Sequence, residues 1–284
     1  MKVLVLGVSG MLGNAMFRTL AMDERYQVVG SARSANILKY FADDIADKII
    51  TGVDVENSDV LAQLFAMVRP QIVINCIGLV KQLASAEDPL LALPINAVLP
   101  HRLARLCELT AARLVHISTD CVFSGRKGGY LETDETDAQD LYGRSKLLGE
   151  VGYPHTVTLR TSLIGHELSS AHGLIGWFLG QAGMVKGYTR AIFSGLPTRE
   201  LARVICDRVL PHPELQGVYN VAAAPISKYE LLQLVNKEYG KGVKVEPDDR
   251  LIIDRSLNAA RFNVATGYVA PGWPELVAQM RVFS

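Results

Sequence analysis

Apolar residues in this chain gather into short β-branched runs near positions 2–6, 27–29, 48–50, 72–75, 114–117 and 156–159. Between them, the stretches at 12–22, 59–68, 99–109 and 141–152 repeat apolar residues at helical spacing. Strand alternating with helix predicts an α/β fold: a Rossmann-type, doubly wound parallel sheet with helices on both faces. In such a sheet ligands bind at the carboxyl ends of the strands, so the strand exits are where chemistry is to be sought.

Beyond Leu163 the pattern loosens into glycine-rich and aromatic stretches such as Gly173-Leu-Ile-Gly-Trp-Phe-Leu-Gly180, and regular segments return at 198–209 and 228–239. The reading is a dinucleotide-binding domain over 1–163, with returning elements near 198–225, and a smaller C-terminal substrate-binding lobe over most of 164–284. No low-complexity linker or internal repeat interrupts the chain, so the lobes are expected to form one unit around a cleft.

Composition narrows the function classes. Among 284 residues, 29 lysines and arginines balance 29 aspartates and glutamates, which leaves no net field to attract nucleic acid or an anionic membrane. The cysteines (Cys76, Cys107, Cys121, Cys206) are scattered without metal-ligand spacing, so neither a zinc site nor a disulfide framework is expected, and no metal is assigned. The chain opens on a strand-like run rather than the layout of a signal peptide, and no apolar stretch reaches the roughly 18 residues of a spanning helix. A cytoplasmic protein is expected.

The first strand runs into Gly7-Val-Ser-Gly-Met-Leu-Gly13 at the start of a helix. Glycine at a strand exit permits a tight turn, a second lets backbone approach a pyrophosphate, and a third lets helix pack on strand; the first N–H groups of the helix then face phosphate. Gly7, Ser9, Gly10, Met11, Leu12 and Gly13 are therefore read as cofactor-binding. The spacing is G-x-x-G-x-x-G rather than the commoner G-x-G-x-x-G. The second strand ends in Ser31-Ala-Arg-Ser34 without a carboxylate for a ribose 2′-hydroxyl, so Arg33 favours a 2′-phosphate and NADPH, with NAD the alternative. Asp54-Val55 is read as closing the third strand beside the adenine, with Asp54 accepting from the adenine amine or capping the helix that follows.

Tyr142-Gly-Arg-Ser-Lys146 places a phenol and an ammonium one helical turn apart. A nearby ammonium stabilises phenolate and lowers a tyrosine pKa, which makes a proton donor. Upstream, Leu114-Val-His-Ile-Ser-Thr119 ends in two hydroxyls where a nicotinamide held by the glycine turn would lie. Thr119 and Tyr142 would then polarise a substrate carbonyl from two sides.

These motifs, with Asn75-Cys-Ile-Gly78, Asn96 and Ile117-Ser-Thr-Asp-Cys-Val-Phe123, occur in the order seen in extended short-chain dehydrogenases/reductases. The chain resembles most the dTDP-4-dehydrorhamnose reductase family, through Ser-Thr-Asp-x-Val-Phe, Glu132-Thr-Asp134 and Leu141-Tyr-Gly-Arg-Ser-Lys-Leu-Leu-Gly-Glu150. Leu159-Arg-Thr-Ser162, Pro197-Thr198 and Gly217-Val-Tyr-Asn220 extend the likeness, which is dense to Ser162 and thin after it. The resemblance implies Tyr142 as proton donor, Lys146 on the nicotinamide ribose and Thr119 on the keto group. It also implies Cys76, Ile77, Gly78, Asn96 and Ser118 on the cofactor side, Asn96 supporting an active-site water and helix geometry. Two departures stand out: Cys121, where the family commonly has an aromatic residue, and Lys81 in the loop after the fourth strand.

A nucleotide sugar needs cations and hydrogen-bonding groups in a cleft. Lys81, Thr119, Asp120, Glu132, Lys186, Arg199 and Arg255 are the substrate-side candidates, and Trp177 and Phe178 either stack on a base or fill the core. The leading expectation is NADPH-dependent reduction of a 4-keto-6-deoxy nucleotide sugar by a possible homodimer. The alternatives are an epimerase or dehydratase of the same fold, or a non-catalytic subunit resembling the regulatory partner of methionine adenosyltransferases.

Overall fold

The computed structural model describes residues 1–79 and 87–282. In chain order the first half runs β1 (Lys2–Leu6), α1 (Met11–Ala21), β2 (Gln27–Ser31), α2 (Asp43–Ala46), β3 (Ile49–Ile50), α3 (Ser58–Val68), β4 (Ile72–Asn75), α4 (Pro89–Ala92), α5 (Leu99–Leu109), β5 (Arg113–Thr119), α6 (Leu141–Leu148) and β6 (Thr156–Thr161). The second half adds β7 (Leu163–Ile164), α7 (Leu174–Leu179), β8 (Met184–Tyr188), β9 (Ala191–Phe193), β10 (Leu196–Pro197), α8 (Thr198–Val204), β11 (Gly217–Asn220), β12 (Ile226–Ser227), α9 (Lys228–Tyr239), β13 (Lys244–Asp248), β14 (Ile253–Asp254), α10 (Ala260–Thr266) and α11 (Trp273–Val282).

Seven strands form the central sheet in the order β11-β6-β5-β4-β1-β2-β3, and every pairing in it is parallel. Strands buried on both faces need near-continuous apolar runs, and β1 after Lys2 and β4 up to Asn75 supply them. Val3, Val5, Ile74, Val115 and Leu159 point to the face covered by α1, α8, α9 and α11, whereas Leu4, Leu6, Val73 and Leu114 point to the face covered by α3 and α5. The doubly wound sheet expected from the sequence is thus present. Strand order reverses between β1 and β4, which opens a crevice at their carboxyl ends.

Three small sheets stand outside this one: β10-β7, β12-β9-β14 and β13-β8. Within 164–284, β11 returns to the central sheet, and residues of α8, α9 and α11, together with Ile164, Val185, Phe193, Leu196 and Ile226 of the small sheets, share its core.

Two local differences from the sequence reading have physical causes. The third strand spans only Ile49–Ile50, so Asp54-Val55 does not close it; Asp54 Oδ1 accepts from Glu56 N at 3.0 Å in a turn, and Asn57 caps α3 in its place. Helix α6 stops at Leu148 rather than running to Gly152, because Gly149 is wedged against the helix that crosses it: a Cβ there would lie 1.9 Å from Asn96 O. That crossing helix is continuous from α4 to α5 through a wide π-type turn at Leu93–Val98. Pro94 has no N–H for an i−4 bond and its ring crowds the preceding carbonyl, and the wide turn accommodates both.

Candidate active site

The β1 exit is built by leaving atoms out. Gly7 has a φ of +84°, a conformation costly for any side chain, and its N–H and that of Val8 both donate to Ser31 O at 3.1 Å. At Gly13 a Cβ would stand 2.0 Å from Gly7 O, so only glycine lets α1 sit this close to the strand. Gly10, the residue before α1, makes no side-chain cap, and the first turn of α1 carries no acidic residue. The N–H groups there remain available to an anion, and the positive end of the helix dipole favours one. These features fit a dinucleotide pyrophosphate.

The β5 exit is built the opposite way. Ser118, Thr119 and Asp120 are all buried. Thr119 Oγ1 accepts from Cys121 N at 3.2 Å and donates to Asp120 Oδ1 at 3.2 Å. Ser118 Oγ donates to Glu150 Oε1 at 2.7 Å, and Glu150 forms a two-point ion pair with Arg160 of β6, at 2.8 and 2.7 Å. Arg160 also lies over the Phe123 ring. Both ions are nearly removed from water, so each depends on the other.

Helix α6 brings Tyr142 and Lys146 to this exit. Asp140 caps it by accepting from Gly143 N at 2.7 Å, and Gly143 lets it touch the β5 exit, since a Cβ there would meet Cys121 O at 2.2 Å. Asn96 Nδ2 donates to Ser145 Oγ at 3.1 Å while Asn96 Oδ1 accepts from Leu79 N at 2.9 Å, which ties the β4 exit loop to α6. Asn96 therefore holds the helix, and its side chain is engaged behind the cleft wall.

Lys146 is buried, and its Nζ donates to Ile117 O at 2.7 Å. Burial pushes its pKa down to about 8, against the opposing charges of Glu150 and Cys76. Burial, reinforced by Cys121, pushes the Tyr142 phenol above its ordinary value, although a hydrogen bond with Thr119 works the other way. The expectation of a phenol lowered by the lysine is thus reversed: desolvation outweighs an ammonium turned onto a backbone carbonyl. The Asp120 carboxyl is also raised by burial, against Arg255 and hydrogen bonds with Cys121, Thr119 and Ser162.

These groups share a cleft of about 530 Å³. Its wall contains Gly10, Met11, Leu12, Cys76, Ile77, Gly78, Ser118, Thr119, Asp120, Tyr142, Lys146 and Arg255 from the sequence-based candidates. Gly78 sits close to the lysine, since a Cβ on it would lie 3.8 Å from Lys146 Nζ. Gly7, Ser9 and Gly13 belong to the turn beneath. Arg33 and Asp54 are exposed near the ends of β2 and β3, and the Val55 side chain is buried in the core.

Several substrate-side candidates lie elsewhere. Glu132 Oε1 accepts from Asn220 N at 2.8 Å, which fixes β11 rather than a ligand. Lys186 is exposed on β8 and paired with Glu246 at 3.2 Å. Arg199 donates to Gln279 O at 3.3 Å and lines a separate cavity of about 470 Å³ between α1 and α11, with Arg18, Tyr40 and His166. Phe178 is core, Trp177 is partly exposed, and neither lines the cleft. Lys81 falls outside the described residues. The sequence reading missed Lys228, Glu167, Ser162 and Phe193, all on the cleft wall, as well as the packing roles of Gly143, Ser145 and Gly149. Ser227 before a Glu at the third helical position marks a capping box, which places Lys228 at the start of α9, but nothing local aims it at β5. Among the described residues no group of three His, Cys, Asp or Glu could hold a metal ion, and no helix is long and apolar enough to cross a membrane.

Known proteins resemble this chain in sequence and in fold. The dTDP-4-dehydrorhamnose reductase of Mycobacterium tuberculosis (strain ATCC 25618 / H37Rv) is 39% identical over 102 residues, covering 33% of this chain and 34% of that protein. A probable low-salt glycan biosynthesis reductase of Haloferax volcanii is 30% identical over 182 residues, covering 62% of this chain and 58% of that protein. The matches thus span about a third and somewhat over half of these relatives' lengths. The crystal structure of dTDP-4-dehydrorhamnose reductase from Bacillus anthracis in complex with NADP superposes with a TM-score of 0.81 at 23% identity, over 100% of this chain and 99% of that one, and so shares the fold. A family model described as the RmlD substrate binding domain matches residues 1–251, and the chain belongs to that family.

Proposed function

We propose that this protein reduces the 4-keto group of a nucleotide-linked 4-keto-6-deoxy sugar with NADPH. One observation carries the reading: Thr119, Tyr142 and the buried Lys146 converge on one wall of a cleft whose other side is the uncapped start of α1. Two relatives are described as reductases, one of them of dTDP-4-dehydrorhamnose. The nicotinamide, when bound, supplies a hydride to the substrate carbon. Gly7, Gly10 and Gly13 admit the pyrophosphate against backbone N–H groups, and Arg33, exposed beyond β2, takes the 2′-phosphate. Thr119 and Tyr142 hold the keto oxygen, and Tyr142 gives its proton to the oxygen as negative charge develops there. Lys146, an ammonium below about pH 8, would hold the nicotinamide ribose and offset the phenolate left behind. Lys228 and Arg255, on the cleft wall, meet the substrate diphosphate.

The test is to mix the purified protein with NADPH and a panel of dTDP- and UDP-4-keto sugars and follow nicotinamide absorbance. Net oxidation that disappears in Tyr142→Phe is the expected result. Sugar conversion without net oxidation makes the protein an epimerase or dehydratase instead, and cofactor binding without turnover makes it a binding subunit.

A further inference from the structure

Three groups compete for the Thr119 hydroxyl. Its Oγ1 accepts from Cys121 N at 3.2 Å, stands 3.2 Å from Asp120 Oδ1 and faces the Tyr142 phenol. A hydroxyl has one proton to give and two lone pairs to receive with. An ionised carboxylate only accepts, so an ionised Asp120 takes the Thr119 proton and leaves none for a substrate oxygen. A neutral carboxylic acid has a proton of its own. Donated to Thr119 Oγ1, it fills the second lone pair beside Cys121 N. The Thr119 proton then points into the cleft, and the Tyr142 phenol, which can no longer donate to Thr119, is directed there too.

We infer that Asp120 is a positioning residue: its neutral form turns the Thr119 hydroxyl proton toward the substrate ketone, and its carboxylate form withdraws that proton. The inference rests on the ketone-reductase reading of the cleft. Asp120 is 7% exposed, and that burial favours the neutral form. The groups that face it are Arg255 from the segment after β14, Tyr142 from α6, Ser162 from the β6 exit, and its neighbours Thr119 and Cys121. Of these, Arg255 draws Asp120 toward the carboxylate. An anionic substrate seated on Arg255 offsets that pull, so binding itself favours the donor arrangement.

The neutral acid is present below the Asp120 pKa and lost as pH rises through it, so turnover falls about tenfold per pH unit above that point. In Asp120→Asn the amide NH₂ donates to Thr119 Oγ1 at every pH. The experiment measures kcat/KM with NADPH and a 4-keto sugar across roughly pH 5 to 9 for wild type, Asp120→Asn and Thr119→Val. In parallel, infrared difference spectra follow the carbonyl stretch of a protonated carboxylic acid. We expect the limb to vanish in Asp120→Asn with activity retained within about tenfold. In Thr119→Val it vanishes at a plateau about 10²-fold lower, as for loss of one oxyanion donor. The acid band should titrate with the limb and be absent from Asp120→Asn. An unchanged limb in Asp120→Asn, or no acid band at any pH in the wild type, overturns the inference. If the wild type reduces no keto sugar while the acid band titrates, the functional reading fails and the proton placement at Asp120 stands.

Discussion

The exits of β1 and β5, with β4 between them, line one cleft and are made by opposite means. At β1 the sequence removes atoms, so that backbone N–H groups are left facing outward with nothing between them and an anion. At β5 it adds polar side chains and then holds each in place: Ser118 by Glu150, Thr119 by Cys121 N and Asp120, Lys146 by Ile117 O. A subtractive site fails by steric intrusion, which disturbs fold and affinity together. An additive site fails one chemical function at a time.

The largest expected effect tests that separation. Tyr142→Phe should lower kcat by about 10²–10⁴-fold with the thermal unfolding midpoint and NADPH affinity unchanged; a parallel loss of affinity would merge the two exits into one structural unit. Next, Glu150→Ala leaves Arg160 buried without its anion and should cost about 3–5 kcal/mol in urea unfolding. Its exception to single-function failure is expected because Glu150 holds β5 to β6. Gly13→Ala should cost about 1–3 kcal/mol by overpacking, whereas Gly10→Ala, whose Cβ would come no nearer than 3.4 Å to Gly7 O, should leave stability within about 0.5 kcal/mol while weakening the cofactor. Lys146 loses its proton as pH rises through about 8, so NADPH affinity measured by fluorescence should decline above that pH and the decline should be absent in Lys146→Met. Smallest of all, Lys186→Ala should change stability by under about 0.5 kcal/mol and leave KM unaltered, because its ion pair is exposed.

What the sequence revealed follows the range of the interactions involved. The β1 turn is complete within seven consecutive residues, Gly7 to Gly13, and Tyr142 and Lys146 are one helical turn apart, so local spacing carries both. The central strands announce themselves because both of their faces are buried. By contrast, β7, β10, β12 and β14 have two residues each, too few for any period to register. Cations were the hardest to place: Lys186 and Arg199 share their local character with Lys228 and Arg255, and only tertiary packing separates a cleft wall from a surface. The early end of α6 had the same origin, since Gly149 meets a carbonyl 53 positions earlier in the chain, at Asn96.

The wide turn at Leu93–Val98 sets how this catalytic wall tolerates insertion and deletion. An α-helix rotates by roughly 100° per residue, so tightening that turn by deleting a single residue would swing the Asn96 amide off the face that meets Ser145 and Leu79. The register of α6 over β5 is thus tied to the pitch of a neighbouring helix through Asn96 and Ser145.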